Sequence, residues 1–101
     1  MKFAEILATL EATDHLQALT LNYADGRVET IENKPGSQGS VKVYHHLWKK
    51  YGGINPEAAK EGLKLYAEHS DDALVNPGKH PNIERLMEVL ETDTPLTVVV
   101  S

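Results

Sequence analysis

Apolar side chains recur along the chain at two spacings, one typical of helices and one typical of strands. The helical spacing i, i+3, i+4, i+7 occurs near both ends, at Phe3, Ile6, Leu7 and Leu10 and again at Ile83, Leu86, Met87 and Leu90. Alternation with a period of two begins at residue 19. The pattern predicts a first helix over residues 2–11, a last helix that begins at Pro81 or Asn82, and a strand between them.

A β-hairpin is predicted around Asp25-Gly26, because this dipeptide separates the alternating run from a second run, Val28 to Glu32. A two-residue type I′ turn pairs Ala24 with Arg27, and this register places Tyr23 opposite Val28 and Leu21 opposite Thr30. Ile31 then points to the other face, which predicts a bulge or a partly covered second face. The run from Leu96 to Val100 predicts a third strand.

The middle of the chain predicts two further helices and a short helical turn. Ser40 is placed to cap the first of these, and Gly52-Gly53 ends it. Its apolar arc contains Val41, Val43, Tyr44, Leu47, Trp48 and Tyr51, and its polar arc contains Lys42, His45, His46, Lys49 and Lys50. Asn55-Pro56-Glu57 begins the next helix, and residues 70–72 cap the turn that stops at Asn76-Pro77-Gly78.

The predicted order of elements is α-β-β-α-α-α-β. A hairpin and a returning C-terminal strand form a small three-stranded sheet, against which three to four helices pack. The sequence therefore predicts an α+β fold in one domain, residues 1–101.

Composition and overall charge exclude several classes of function. The chain has 10 Lys and Arg against 15 Asp and Glu, a net charge of −5, which argues against binding to duplex nucleic acid. It contains no cysteine, so a disulfide framework, a thiolate zinc site and a cysteine nucleophile are excluded and a cytoplasmic location is expected. No secretory h-region and no membrane-spanning run is evident, so no membrane association is expected.

The charge is distributed unevenly along the chain. Residues 33–56 contain four lysines and no acid, a net charge of +4, whereas the remaining residues carry 6 bases and 15 acids, a net charge of −9. A Gly/Ser-rich loop leads into a helix within this basic segment, and the N-terminal end of a helix favours anions. We therefore predict a ligand site at residues 33–50, formed by Lys34, Gly36, Ser37, Gly39, Ser40, Lys42, His46 and Lys49.

The predicted function is a non-catalytic binding or interaction module that uses this loop and the basic helix face. Its partner is an acidic protein surface or a phosphate-bearing small molecule. The alternative explanation of the same residues is that the loop is only a turn and a helix cap, with Lys49 and Lys50 complementing the helix dipole. No nucleotide-binding glycine motif matches the loop.

Other functions have weaker support in the sequence. The five histidines contain no i, i+4 pair, so neither a metal site nor a cofactor is predicted. A small enzyme with His45 or His46 as general base is one alternative, and a structural homodimer is another. Trp48, with Tyr44 and Tyr51, is typical of an interface anchor, but in a chain with six aromatic residues this stripe is better interpreted as core.

Three runs carry a resemblance over the whole chain. They are Asn33-Lys34-Pro35-Gly36-Ser37-Gln38-Gly39-Ser40, Tyr51-Gly52-Gly53-Ile54-Asn55 with the following Glu57-Ala58-Ala59-Lys60-Glu61-Gly62, and Asn76-Pro77-Gly78-Lys79-His80-Pro81-Asn82-Ile83. In these runs the chain resembles a family of small bacterial proteins of about one hundred residues whose function is unknown. The resemblance implies a small soluble bacterial protein and supplies no activity, substrate or catalytic residue.

Overall fold

The computed structural model describes residues 1–101 as five helices and three strands. The helices are α1 (Phe3–Leu7), α2 (Gln38–Tyr51), α3 (Pro56–Leu65), α4 (Glu68–Val75) and α5 (Pro81–Thr92), and the strands are β1 (Ala18–Asn22), β2 (Val28–Glu32) and β3 (Thr97–Val100). Their order confirms the predicted α-β-β-α-α-α-β sequence and the α+β class. None of the helices has the length and apolar character that crossing a bilayer requires.

The three strands form an antiparallel sheet in the order β2-β1-β3, but the predicted hairpin register is wrong by one residue. Leu21 pairs with Glu29, not with Thr30, and Leu19 pairs with Ile31. The connection is a three-residue loop in which Gly26 adopts a φ of 96°, and the Tyr23 amide donates to the Arg27 carbonyl. This register places Ile31 on the same buried face as Leu19, so the bulge that the predicted register required is not needed.

Helix ends depart from the predictions at three places. α1 ends at Leu7 and does not extend to residue 11. α2 begins at Gln38 with Ser37 as its N-cap residue, so Ser40 lies inside the first turn and is not the cap. α4 is a helix of eight residues, longer than the single turn predicted. The caps at Asn55, whose side chain accepts from the Ala58 amide, and at Gly52, with a φ of 81°, are as predicted.

The core lies between the sheet and the helices and contains 16 buried residues, among them Leu19, Leu21, Tyr44, Leu47 and Leu86. α3 contacts both α2 and α5. Their close approach depends on Gly62, because a Cβ atom there would lie 2.6 Å from Leu86 Cδ1 and 2.9 Å from Leu47 Cδ1. The predicted core stripe on α2 is correct for Tyr44, whereas Trp48 is half-buried and outside the core cluster.

His45 was predicted on the polar arc of α2, but it is only 4% exposed. The segment after α1 returns across this side of α2, with the Glu11 carboxylate 3.6 Å from His45 Nε2 and 3.2 Å from Lys49 Nζ. The Trp48 ring lies 5.7 Å from the imidazole. Because α1 ends early, the residues that follow it can cover the His45 side of α2. The helical periodicity of α2 alone predicts that this side is exposed to solvent.

Candidate functional site

A cleft of about 360 Å³ lies where the beginnings of α2 and α5 meet the junction of α3 and α4. The loop before α2, the loop before α5, the α3–α4 junction and the first residue of α1 each form part of its wall. The lining residues are Phe3, Gly36, Gly39, Ser40, Tyr66, His69, Lys79, His80, Pro81, Asn82 and Ile83. Three of these residues are hydrophobic, and the wall combines apolar and polar surface.

The wall on the α2 side is formed by the Gly/Ser loop. Gly36 adopts a φ of 97°, a conformation that side chains disfavour. A Cβ atom at Gly39 would lie 3.1 Å from the Phe3 ring, so a residue without a side chain allows α1 to pack closely here. Ser37 Oγ donates to the carbonyls of Glu32 and Lys34 and thereby holds the loop, and it makes no cap bond to α2.

Asp72 organises the opposite wall. Its Oδ2 lies 2.6 Å from His80 Nε2 and 3.1 Å from Lys79 Nζ, and its Oδ1 accepts from Asn76 Nδ2 at 2.9 Å. The hydrogen bonds from His80 and Lys79 lower the pKa of Asp72 to about 2, so the carboxylate is ionised at neutral pH. Asp72 contacts Nε2, and Nδ1 of His80 has no hydrogen-bond partner in the protein.

The α3–α4 junction supplies Tyr66 and His69. Ala67 connects the two helices with φ 51° and ψ −120°, a conformation unusual for a residue with a side chain. Tyr66 is buried and its hydroxyl donates to Ser40 Oγ at 2.7 Å, and burial raises its pKa so that it stays a donor. The His69 ring packs edge-on against Phe3 at 5.0 Å and faces the His80 ring at 5.6 Å.

Unused backbone donors complete the cleft. The amides of Gly39 and Ser40, in the first turn of α2, and of Asn82, in the first turn of α5, donate to no group of the protein. Asn82 is fixed from behind, because its carbonyl accepts from the Tyr44 hydroxyl at 2.5 Å and its Oδ1 accepts from Arg85 Nη1 at 2.8 Å. Two helix N-termini therefore present hydrogen-bond donors to one concavity, together with an ammonium group and two imidazoles.

The family model described as an uncharacterised protein conserved in bacteria (DUF2322) matches residues 3–100, nearly the whole chain. The chain belongs to this family. No curated protein and no solved structure matches it. The family has no established function, and the predicted resemblance to small bacterial proteins of unknown function is confirmed.

Among the residues predicted to form a site in this DUF2322 protein, Gly36, Gly39 and Ser40 line the cleft. The lysines and His46 lie elsewhere and have partners within the protein. Lys34 pairs with Glu32 at 2.9 Å, Lys42 Nζ donates to the Leu7 carbonyl at 3.3 Å, Lys49 pairs with Glu11, and His46 Nε2 lies 2.5 Å from Glu61. The structure thus brings together the loop half of the predicted site and separates it from the basic helix face.

The imidazoles predicted as alternative general bases lie outside the cleft. His45 is buried against Trp48, and burial is the main cause that lowers its pKa. His46 contacts Glu61, which also accepts from Lys50 Nζ at 2.6 Å and from the Tyr51 hydroxyl at 2.8 Å. These three contacts of Glu61 join α2 to α3. No group of three or more His, Asp or Glu side chains is arranged to hold a metal ion.

Sequence reasoning missed the second half of the cleft, namely Tyr66, His69, Asp72, Lys79 and His80. Asn76-Pro77-Gly78 was interpreted only as a helix stop. A usable signal was the similarity of the two loops, because Lys34-Pro35-Gly36 and Asn76-Pro77-Gly78 each place a Pro-Gly pair shortly before a helix. Two such loops in one small domain predict two helix N-termini. They do not predict that both N-termini lie at the same cleft.

Proposed function

We propose that the cleft binds a small anionic molecule and that the protein is a non-catalytic binding module. The observation that carries this proposal is the convergence of three unused amides, those of Gly39, Ser40 and Asn82, on a concavity that also contains Lys79 and two imidazoles. Ser40 adds a hydroxyl whose oxygen already accepts from Tyr66 and whose proton has no acceptor within the protein.

The size and the charge of the cleft favour a small molecule over an acidic protein surface. About 360 Å³ lies at the small end of ligand-binding pockets. An acidic protein would need the basic face of α2, but the lysines of that face already form salt bridges with Glu11 and Glu61. The ligand is therefore a molecule that carries a phosphate or carboxylate group. A cytoplasmic location, expected from the cysteine-free sequence, is part of the same proposal.

Calorimetric titration with inorganic phosphate tests this function. The wild-type protein is compared with Lys79→Ala, which removes the ammonium group from the cleft, and with Lys60→Ala, which removes the same charge from an exposed position on α3. We expect Lys79→Ala to weaken binding about fivefold, the equivalent of the roughly 1 kcal/mol that a partly exposed charge contact contributes. Lys60→Ala is expected to bind like the wild type. Equal affinities for all three proteins would exclude the cleft as the site.

A second candidate function is catalysis with His80 as a general base, because Asp72 orients this imidazole and leaves one ring nitrogen without a protein partner. The test is hydrolysis of p-nitrophenyl acetate and p-nitrophenyl phosphate by the wild type and by His80→Gln. A base of this kind contributes about 10² to 10⁴ in rate, so its loss is measurable. Identical rates in the two proteins would refute the catalytic role and leave anion binding unaffected.

A further inference from the structure

We infer that the cleft takes up a proton together with its anion, on the facing imidazoles of His69 and His80, and that its ligand is a doubly charged tetrahedral oxyanion of the phosphate-monoester type. This inference rests on the proposed anion binding and adds the ligand class and a pH dependence. It depends on the arrangement of charges around the two rings and on the directions from which the donors reach the cleft.

Lys79 is the one lining side chain that is charged while both imidazoles are neutral. Its charge is offset by Asp72, whose carboxylate lies 3.1 Å from Lys79 Nζ. A doubly charged ligand in such a concavity needs a further positive charge. Histidine is the side chain that ordinarily gains its charge between pH 8 and pH 5, and two of them line the cleft.

Other charged groups lie on the elements that surround the rings. Glu68 accepts from the Phe3 amide, and that bond lowers its pKa, with smaller contributions from His69 and Lys2. Glu84 accepts from the Gly78 amide, and Arg85 is paired with Glu29. Lys2 forms no salt bridge, and its charge is opposed by the Glu68 carboxylate. The two imidazoles are therefore the groups able to compensate a dianion.

The geometry limits the uptake to about one proton. The ring centroids of His69 and His80 are 5.6 Å apart, so two imidazolium ions would repel each other strongly at this distance. His80 is the better placed of the two, because its Nε2 lies 2.6 Å from the Asp72 carboxylate. His69 has no hydrogen-bond partner in the protein and no carboxylate paired with it, and its other ring contact is with Phe3 at 5.0 Å. Protonation of His80 with His69 neutral is the expected bound state.

The directions of the donors favour a tetrahedral oxyanion over a carboxylate. The amides of Gly39 and Ser40 reach the cleft from α2, the Asn82 amide from α5, and the imidazoles and Lys79 from the loop and from α4. A planar carboxylate offers two oxygens to donors that come from three elements. The three free oxygens of a phosphate monoester diverge, so each can accept from a different wall.

Sulfate is the decisive probe, because it keeps a charge of −2 over the whole range from pH 5 to pH 9 and cannot itself take up the proton. Titration calorimetry is performed at pH 7.5 in two buffers with different ionisation enthalpies, which gives the number of protons bound with each sulfate. We expect about one proton per sulfate. We also expect sulfate to bind about tenfold more tightly at pH 6 than at pH 8, since linkage requires affinity to rise where protons are taken up.

Three histidine variants locate the proton. His80→Gln retains a side-chain amide toward Asp72 but cannot be charged, and it is expected to abolish proton uptake while sulfate still binds weakly. His69→Gln is expected to retain the uptake. His15→Gln, a change at an exposed histidine before β1, is the matched control and is expected to behave as the wild type.

The possible outcomes separate the two proposals. Sulfate binding without proton uptake, or uptake that persists in His80→Gln, would overturn this inference and leave anion binding intact. Acetate binding that matches or exceeds sulfate binding would overturn the assignment of the ligand class. No binding of phosphate or sulfate at any pH would overturn the proposed function, and this inference with it.

Discussion

Replacement of Arg85 by methionine is expected to destabilise the protein far more than the same replacement of Arg27. Arg85 is 8% exposed and joins three elements. Its Nε donates to Glu29 at 2.8 Å and to the Tyr23 hydroxyl at 3.1 Å, and its Nη1 donates to the Tyr44 hydroxyl at 3.2 Å and to Asn82 at 2.8 Å. The guanidinium thus connects the hairpin to α2 and α5 and holds the side chain of Asn82 behind the cleft.

The size of the effect follows from these contacts. Breaking a buried ion pair costs about 3 to 5 kcal/mol when one partner is left behind. Glu29 is 45% exposed and can be solvated again, and methionine fills part of the volume, so we expect the lower limit, about 3 kcal/mol. In a domain of this size 1 kcal/mol shifts Tm by about 4 to 8 °C, which predicts a decrease of about 12 to 24 °C.

Urea and thermal unfolding followed by circular dichroism provide the measurement. Arg27→Met is the matched control, because Arg27 also forms two ion pairs, at 3.0 Å to Asp25 and 2.8 Å to Glu88, but its side chain is 53% exposed. Exposed pairs of this kind contribute little to stability, because water and salt screen them. If Arg85→Met lost no more stability than Arg27→Met, the buried network would not hold the hairpin to the helices, and the reasoning would be wrong.

Three further predictions concern single positions. Gly62→Ala is expected to lower the free energy of unfolding in urea by about 1 to 2 kcal/mol. The close contacts of the added methyl group with Leu86 and Leu47 outweigh the roughly 1 kcal/mol that alanine gains in a helix. A stabilised variant would contradict this expectation. Ala67→Gly is expected to stabilise the protein by about 1 kcal/mol in the same assay, because glycine tolerates φ 51° and ψ −120°. An unchanged urea midpoint would show that the α3–α4 junction is unstrained. Burial opposes ionisation of Glu61, but the hydrogen bonds that the carboxylate accepts lower its pKa to about 2. The ionised carboxylate therefore contributes to stability above about pH 4.5, and this contribution is lost as the pH falls toward 2. Acid unfolding of Glu61→Gln should therefore be less steep than that of the wild type over this range, and equal slopes would refute the assignment.

The hairpin illustrates how far the sequence determines the fold. Alternation and Asp25-Gly26 correctly predict two strands, but a turn of two residues and a turn of three residues fit the same dipeptide. They differ by one position in register. The buried face decides between them, because only the observed register places Ile31 beside Leu19 and directs Glu29 toward Arg85. That choice depends on a contact between residues 56 positions apart, which local patterning does not contain.

The site was predicted in part for a similar reason. Gly36, Gly39 and Ser40 were identified from local chemistry, since a glycine-rich loop before a helix has the same physical consequences in any fold. The four lysines of residues 33–56 were identified from charge counting. Three of them pair with acids outside the segment, Glu32, Glu11 and Glu61, so that count is misleading. His69 and His80 line the same cleft as Gly36, Gly39 and Ser40 only because α4 and the loop before α5 fold back toward the beginning of α2.

Residue-resolved NMR titration with inorganic phosphate tests anion binding in the cleft most directly. The backbone amides of Gly39, Ser40 and Asn82 are the reporters, because each lines the cleft and none donates within the protein. Anion binding predicts that all three shift together, with one common dissociation constant, and that the amides of Lys49 and Lys50 stay unchanged. Shifts confined to that lysine face of α2, or no shift at any of the three reporters, would contradict it.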